Sequence, residues 1–310
     1  MISSLSPQSR MFLADVDATQ QRIAVANQQL SSGLKIQVAS DGPDVVGTLL
    51  QLRANLQKNS QLTTNLGLAK GDADVAESSL SSATQLMDTA LSLAAQGATA
   101  TTNASARQAI AGQVQGILEQ MVGYSNTQSA GRYVFSGDAE TTPAYRLDLS
   151  QANGVNQLTT AAATRQVENP AGGSFAVSQT AQQIFDDRNP DGSLASDNVF
   201  AALNGLRVAL LHNDTAGITA ATTSLKAASD RLNVSLAYYG TVQNRIQDAT
   251  TWAGNYDVQL QTQIGQLQDA DVAAASLELS QGTTQLQAAF ASEARVPRYT
   301  LFDFLSSTGG

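Results

Sequence analysis

Residues 62–94 read LTTNLGLAKGDADVAESSLSSATQLMDTALSLA. Every position reached from Leu62 by alternating steps of four and three residues is apolar, as far as Ala94. This heptad spacing predicts a helix with a narrow apolar face, about 50 Å long at 1.5 Å per residue. Six of the ten face positions are alanine. Each contact therefore buries little surface, and the helix needs partner helices along its length.

The composition of the 310-residue chain favours extended helices over a compact enzyme. Charged residues make up 14% and aromatic residues 5%, against about 25% charged residues in an average soluble domain. The formal net charge is −9 and Lys and Arg form no run. This argues against a nucleic-acid partner, because phosphate binding needs clustered cations. The chain has no cysteine, so it can form neither a disulfide nor a thiolate metal site.

The sequence predicts neither a cleaved signal peptide nor membrane insertion. Residues 1–7 lack the basic region and the continuous apolar region of a standard signal peptide. Along the whole chain, no run of uninterrupted apolar residues approaches the roughly 18 that a membrane-spanning helix requires.

Apolar periodicity predicts further helices in the N-terminal part. Residues 13–34 carry a looser heptad that places Gln20 and Asn27 in the seam. An amphipathic helix with irregular edges explains the same residues equally well. A Gly-Pro pair at residue 42 ends this region, and a long helix over about 45–96 follows.

The pattern changes after residue 130. Residues 131–199 contain short β-prone runs separated by glycine and proline, which predicts a small inserted β-rich domain. Helical periodicity returns at 198–212, with Asp197 as the expected N-cap. A last apolar seam extends from Leu232 to Leu277.

These patterns predict a mainly α fold, in which the N- and C-terminal segments form a long antiparallel, coiled-coil-like helical rod that carries a small inserted β-rich domain. The predicted domains are terminal assembly helices at 1–43 and 270–310, a helical rod at 44–130 and 200–269, and an outer β-rich domain at 131–199.

Residues 187–192 are the strongest candidate for an ion site. Asp187, Asn189 and Asp191 match the first half of a calcium-binding loop. However, Asn198 stands where the bidentate glutamate is expected. Asn-Pro-Asp-Gly is also an ordinary turn sequence, which is the favoured interpretation. The sequence thus predicts neither a metal nor a cofactor.

No arrangement of residues in the sequence points to catalysis. The only histidine, His212, lies at the end of a predicted helix, and a lone histidine makes neither a metal site nor a general base by itself. The chain contains no P-loop and no dinucleotide-binding glycine pattern with its flanking strand. We therefore expect a protein that is not an enzyme.

Both ends of the chain resemble bacterial flagellins and their relatives. At the N-terminal end, the similar residues are LSSGLKI at 30–36 and ASDGP at 39–43. At the C-terminal end, they are LQAA at 286–289 and LFDFL at 301–305. GRYVFSG at 131–137 is similar to the segment that enters the outer β domain in the members that join hook to filament.

The resemblance implies a structural subunit of the bacterial flagellum at the junction between hook and filament. In this family, the chain ends stay largely unfolded in the free subunit and become coiled-coil helices on assembly into a tube. The resemblance also implies type III export without a cleaved signal peptide, and hence an extracellular location in the flagellum. The implied partners are further copies of the chain in a tubular layer, a neighbouring hook-associated protein, flagellin and a flagellar export chaperone.

The residues of the terminal segments agree with this implication. Their seams contain polar residues and few large apolar ones. Alone they cannot offset an ordering cost of about 1–2 kcal/mol per residue. The residues that we expect to make assembly contacts are Leu30, Leu34, Ile36, Val38, Leu277, Leu286, Phe290, Leu301, Phe302 and Phe304.

Two other functions stay open at the level of sequence. One is flagellin itself, the bulk subunit of the filament, because the terminal motifs do not separate the two roles. The abundance of the chain in sheared filaments distinguishes them. The other is a surface adhesin or an enzyme carried by the inserted domain. Glycan binding or substrate turnover by the purified insert would support that function.

Overall fold

The computed structural model describes residues 7–170 and 172–295. Within these residues the chain forms seven α-helices and one short 3-10 helix, Ala39–Asp41. The α-helices are α1 (Pro7–Ser32), α2 (Pro43–Ala98), α3 (Ala104–Ser125), α4 (Ala181–Phe185), α5 (Val199–Leu211), α6 (Thr215–Gln268) and α7 (Val272–Glu293). The mainly α fold predicted from the sequence is confirmed.

Six short strands lie between α3 and α4, and those in the described residues form three two-stranded antiparallel sheets. The pairs are β1 (Gln128–Ser129) with β2 (Arg132–Tyr133), β3 (Tyr145–Leu147) with β4 (Val155–Gln157), and β5 (Gln166–Glu168) with β6 (Ser174–Ala176). The predicted β-containing insert is therefore present as small separate strand pairs.

The described residues fall into two compact units. We call residues 58–257 the central unit, and residues 7–57 together with 258–295 the end unit. All six strands belong to the central unit. The boundaries differ from those of the three-part division predicted from the sequence, which stays a prediction.

The apolar face of α2 predicted from heptad spacing is buried in the central unit. Nine of its ten positions, from Leu66 to Ala94, are buried, and Leu62 is half-buried. On α3, Val114 and Met121 are also fully buried, and this helix packs against α5. The narrow alanine-rich face therefore forms the core of a helical bundle.

A buried group of aromatic rings fixes the strand region to the helices. The ring centroid of Phe185 lies 5.9 Å from that of Phe135 and 5.8 Å from that of Phe200. The ring of Tyr145, at the start of β3, lies 5.1 Å from that of Phe200. These few large side chains supply a large share of the buried apolar area in this region.

The carboxylate of Asp186 is buried beside these rings and is fully hydrogen-bonded. It accepts from Tyr145 Oη at 3.1 Å, Asn153 Nδ2 at 2.9 Å and Asn198 Nδ2 at 2.8 Å. Arg188 Nη2 donates to it at 2.8 Å. Burial, reinforced by the charge of Asp186, raises the pKa of Tyr145 far above its usual range. Asp186 therefore joins β3, the loop before β4 and the start of α5.

The N-cap predicted for α5 is wrong by one residue. Asn198, not Asp197, caps the helix by accepting the N–H of Ala201 at 2.9 Å. Asp197 instead accepts a hydrogen bond from Arg231 Nε at 2.7 Å. Asp197 is thus engaged in an ion pair, and the side-chain oxygen of Asn198 supplies the cap.

The polar side chains of the candidate calcium loop are engaged in hydrogen bonds and in an ion pair with α6. Asp187 is ion-paired with Arg231. Asp191 Oδ1 accepts from the backbone N–H of Ser193 at 2.9 Å, and Asn189 Nδ2 donates to Ser193 Oγ at 2.9 Å. Among residues 7–170 and 172–295, no group of three or more His, Asp or Glu side chains is placed to hold a metal ion. None of the described helices is both long and apolar enough to cross a membrane.

Candidate assembly interface

In the end unit, α1 and α7 pack against each other through small side chains. The buried positions are Val16, Thr19 and Ala26 on α1, and Ala275 and Gly282 on α7. A Cβ on Gly282 would lie 2.7 Å from Ile23 Cγ1. Small residues let the two backbones come close, but they bury little apolar area. The pair is therefore closely fitted and weakly stabilised.

Polar and aromatic contacts fix the antiparallel orientation of the pair. Arg22 Nη1 lies 3.3 Å from Glu278 Oε1, and Arg22 Nη2 donates to Gln285 Oε1 at 3.0 Å. The rings of Phe12 and Phe290 meet edge to face, 6.3 Å apart. Because Arg22 is exposed, its ion pair contributes at most about 1 kcal/mol.

The seam predicted for α1 is wrong at three positions, the first of which is Leu13, a side chain that is 47% exposed. Gln20 and Asn27 are exposed, and Thr19 and Ala26 occupy the buried places beside them. Thr19 can be buried because its hydroxyl donates to the backbone oxygen of Asp15 at 2.8 Å, within its own helix. A longer amide side chain would need a partner across the pair.

The prediction of one apolar seam from Leu232 as far as Leu277 is also wrong. α6 ends at Gln268, and Asp271 caps the next helix by accepting the N–H of Ala274 at 2.9 Å. After this break the buried face includes Ala275, whereas Leu277 is 58% exposed. The break between the two helices therefore starts a new buried face on α7.

The connector between α1 and α2 folds onto itself. The carboxylate of Asp41 accepts the backbone N–H of Val38 at 3.0 Å and that of Gln37 at 2.9 Å. These two bonds lower the pKa of Asp41, and the bond from Val38 has the larger effect. The side chain of Ile36 is buried under Gly42, where a Cβ would lie 3.0 Å from Ile36 Cδ1.

The ten predicted assembly residues lie in different environments. Ile36 is buried within the subunit, and Leu30, Leu34 and Leu286 are half-buried. Val38, Leu277 and Phe290 are 56%, 58% and 53% exposed. Leu301, Phe302 and Phe304 lie outside the described residues. Val38, Leu277 and Phe290 can therefore reach another molecule, and the assembly role of all ten stays a prediction.

The sequence patterns did not single out several other exposed apolar side chains of the end unit. These are Met11, Val25, Leu50, Val258 and Val272, together with Leu13, which was assigned to the seam. Met11, Ala18 and Val25 follow one another at steps of seven residues. That spacing is a second apolar stripe on α1, and it would have revealed the exposed face.

Two family models match the ends of the chain. The bacterial flagellin N-terminal helical region matches residues 2–140, and the bacterial flagellin C-terminal helical region matches residues 222–305. The matched ranges cover α1 to α3, the first two strands, most of α6, and α7.

Curated relatives extend over most of the chain. Flagellar hook-associated protein 3 of Escherichia coli K12 is 26% identical over 294 residues, which cover 89% of this chain and 90% of that protein. Flagellar hook-associated protein 3 of Salmonella typhimurium is 27% identical over 214 residues, which cover 66% of this chain and 65% of that protein.

Solved structures share the fold at low sequence identity. Flagellar hook associated protein-3 of Legionella pneumophila superposes with a TM-score of 0.60 at 13% identity, over 70% of this chain and 98% of that one. FlgL of Bacillus cereus superposes with a TM-score of 0.55 at 18% identity, over 69% of this chain and 98% of that one.

Proposed function

We propose that this chain, which belongs to the bacterial flagellin family, is a structural subunit of the flagellum that polymerises as a short layer at the junction between hook and filament. The two curated relatives named above carry the name hook-associated protein 3, and one of them is matched over 89% of this chain. The family and these relatives are structural flagellar proteins.

The strongest physical support is the uneven burial of apolar side chains. The large hydrophobic cluster, from Leu66 to Ala249, lies entirely in the central unit. Among the described residues, the end unit is the smaller of the two and yet exposes more large apolar side chains than the central unit, among them Met11, Val25 and Leu277. Exposed apolar surface on weakly paired helices is typical of an element that is completed by other molecules.

The partners follow from this role. Copies of the chain would supply the missing apolar contact to α1 and α7 within the layer. A neighbouring hook-associated protein would bind on one side of the layer and flagellin on the other. During export the chain ends are unfolded and held by an export chaperone, and the chain passes through the type III channel to the extracellular flagellum. In this scheme the chain is an adaptor without catalytic activity.

A swimming assay tests the proposal. In a strain lacking the gene, we expect hooks to form and flagellin to be shed into the medium, and the wild-type gene to restore attached filaments. Leu277→Asp should fail to restore them, because it places a charge in the exposed apolar face of α7. Leu277→Met keeps that face apolar and should restore swimming.

Two results would overturn the assignment. If the deletion strain assembles stable filaments on its hooks, the junction role is refuted. If the chain makes up nearly all the protein of sheared filaments, it is the filament subunit. Wild-type helical content of the free chain, measured by circular dichroism, is the control that α7 still folds in Leu277→Asp.

A further inference from the structure

The two connectors of the end unit lie side by side and are joined by backbone hydrogen bonds. The first joins α1 to α2, and the second, Asp269–Asp271, joins α6 to α7. Lys35 N–H donates to the backbone oxygen of Gln268 at 2.8 Å, and Ala270 N–H donates to that of Gly33 at 2.8 Å. These bonds make an isolated antiparallel bridge between residues 34 and 269.

The side chain of Gln268 reinforces this bridge from the end of α6. Its Nε2 donates to the backbone oxygen of Ile36 at 3.2 Å, and its Oε1 accepts from Arg53 Nη2 on α2 at 2.8 Å. Gln268 is 8% exposed. A buried amide in which both the nitrogen and the oxygen are paired favours one arrangement of its neighbours, because any other leaves a polar group without a partner.

The remaining bonds of the first connector make it a suitable anchor. Gly33 adopts a positive φ of 70° directly after α1 and turns the chain towards the second connector. Lys35 Nζ adds a bond to the backbone oxygen of Gln266 at 3.3 Å. The connector is thus bonded both within itself, through Asp41, and to the last turn of α6.

We propose that Gln268 is a positioning residue that holds the two connectors together, an arrangement we call the clasp. The clasp makes α1 and α7 begin their pairing in one fixed register, and the two helices dock or separate as one unit. The helices are far apart in sequence and their seam is weak. Holding the end of α1 beside the start of α7 raises the effective concentration of each for the other. The proposal deepens the assembly role proposed above and rests on it only for its consequence in the polymer.

Hydrogen exchange on the free full-length chain tests the clasp directly. In Gln268→Leu we expect the amides of Lys35, Ile36 and Ala270 to exchange at least about tenfold faster, because the variant loses both side-chain hydrogen bonds of Gln268. The matched control is Gln266→Leu, which changes an exposed side chain of the same helix. Exchange in α2 between residues 66 and 94 should be the same in both variants and in the wild type.

A distance measurement tests whether the clasp sets the helix ends. The chain has no cysteine, so spin labels can be attached at Ser31→Cys and Ala273→Cys, two exposed positions beside the connectors. The wild type and Gln266→Leu should each give one narrow distance distribution, and Gln268→Leu a broad one. Equal distributions in all three chains, or a broad one in the wild type, would overturn the proposal. Neither measurement involves hook or filament, so a failed swimming assay leaves this result unaffected.

Discussion

At the scale of single residues, close approaches of the backbone decide where glycine is needed. Gly154 has a φ of +78°, and a Cβ there would lie 2.9 Å from Leu118 Cδ2. Gly71, in the interior of α2, has open space around it. The first glycine is required by the local conformation and packing, whereas the second costs helix stability without a compensating contact.

Substitution of these two glycines by alanine should therefore have opposite effects. Gly154→Ala should lower the free energy of unfolding by about 2 kcal/mol, from left-handed backbone strain and overpacking together. Gly71→Ala should raise it by about 1 kcal/mol, because alanine is the better helix former. Urea titrations followed by the fluorescence of Trp252 measure both variants. Equal midpoints would contradict the packing seen at Gly154.

Asp41 makes the first connector sensitive to acid. Hydrogen bonds from the backbone N–H of Val38 and Gln37 hold the pKa of Asp41 below its usual 3.8. The ionised form is therefore favoured in the folded connector. The stabilisation is fully present above pH 3.8 and is lost as the pH falls through the lower folded value.

An NMR titration of the amide signals of Val38 and Gln37 checks this dependence. In the wild type both signals should shift as the pH falls below 3.8. Asp41→Asn keeps an acceptor oxygen but does not titrate, so its two signals should stay constant over the same range. A wild-type titration centred above pH 3.8 would show that the two hydrogen bonds do not form.

At the scale of elements, position on the α2 face should determine the cost of a truncation. Leu80 is fully buried in the central core and Leu68 is 58% exposed. Leu80→Ala should cost about 2–5 kcal/mol, from lost burial and the cavity left behind. Leu68→Ala, the matched control on the same helix, should change stability by less than about 0.5 kcal/mol. Similar urea midpoints for the two variants would refute the predicted face.

How well an element was predicted from sequence depended on how much its packing used large side chains. The face of α2 was correct because its positions repeat without interruption through Leu66, Leu80 and Met87. On α1 the buried residues Thr19 and Ala26 are no more apolar than many exposed ones. Periodicity alone could not choose between them and their neighbours, since the choice depends on the approach of Gly282 on α7.

The candidate interface was only partly predictable for the same reason. Ile36 was predicted to make an assembly contact because its motif resembles an assembly motif, and the sequence did not indicate that its side chain is buried under Gly42 within the subunit. The break between α6 and α7 had a local signal, the capping residue Asp271. The contacts of Gln268 with Ile36 and Arg53 join residues more than 200 positions apart. No local pattern encodes such a contact.

At the scale of the whole molecule, apolar burial is distributed unequally between the two units. The central unit contains the continuous hydrophobic cluster from Leu66 to Ala249. The end unit relies on small side chains such as Ala26 and Ala275 and on exposed polar contacts. Because stability follows buried apolar area, the end unit should open at a lower free energy than the central unit.

When the free chain is heated, two spectroscopic probes should distinguish the unfolding of the end unit from that of the central unit. Far-ultraviolet circular dichroism reports helices in both units, including the 26 residues of α1 and the 22 of α7. The single tryptophan, Trp252, lies in the central unit, where its ring is 5.0 Å from that of Tyr256. We expect part of the helical signal to be lost before the tryptophan fluorescence changes.

Two variants show which unit unfolds in each phase of the thermal transition. Gly282→Val, which forces a side chain against Ile23, should lower only the early phase seen by circular dichroism. Leu80→Ala should lower only the later phase, which fluorescence also detects. A single transition shared by both probes, in a chain with the full helical content of the described residues, would mean that the end unit is as stable as the core. Assembly would then not be needed to complete it, and the physical basis of the proposed function would be lost.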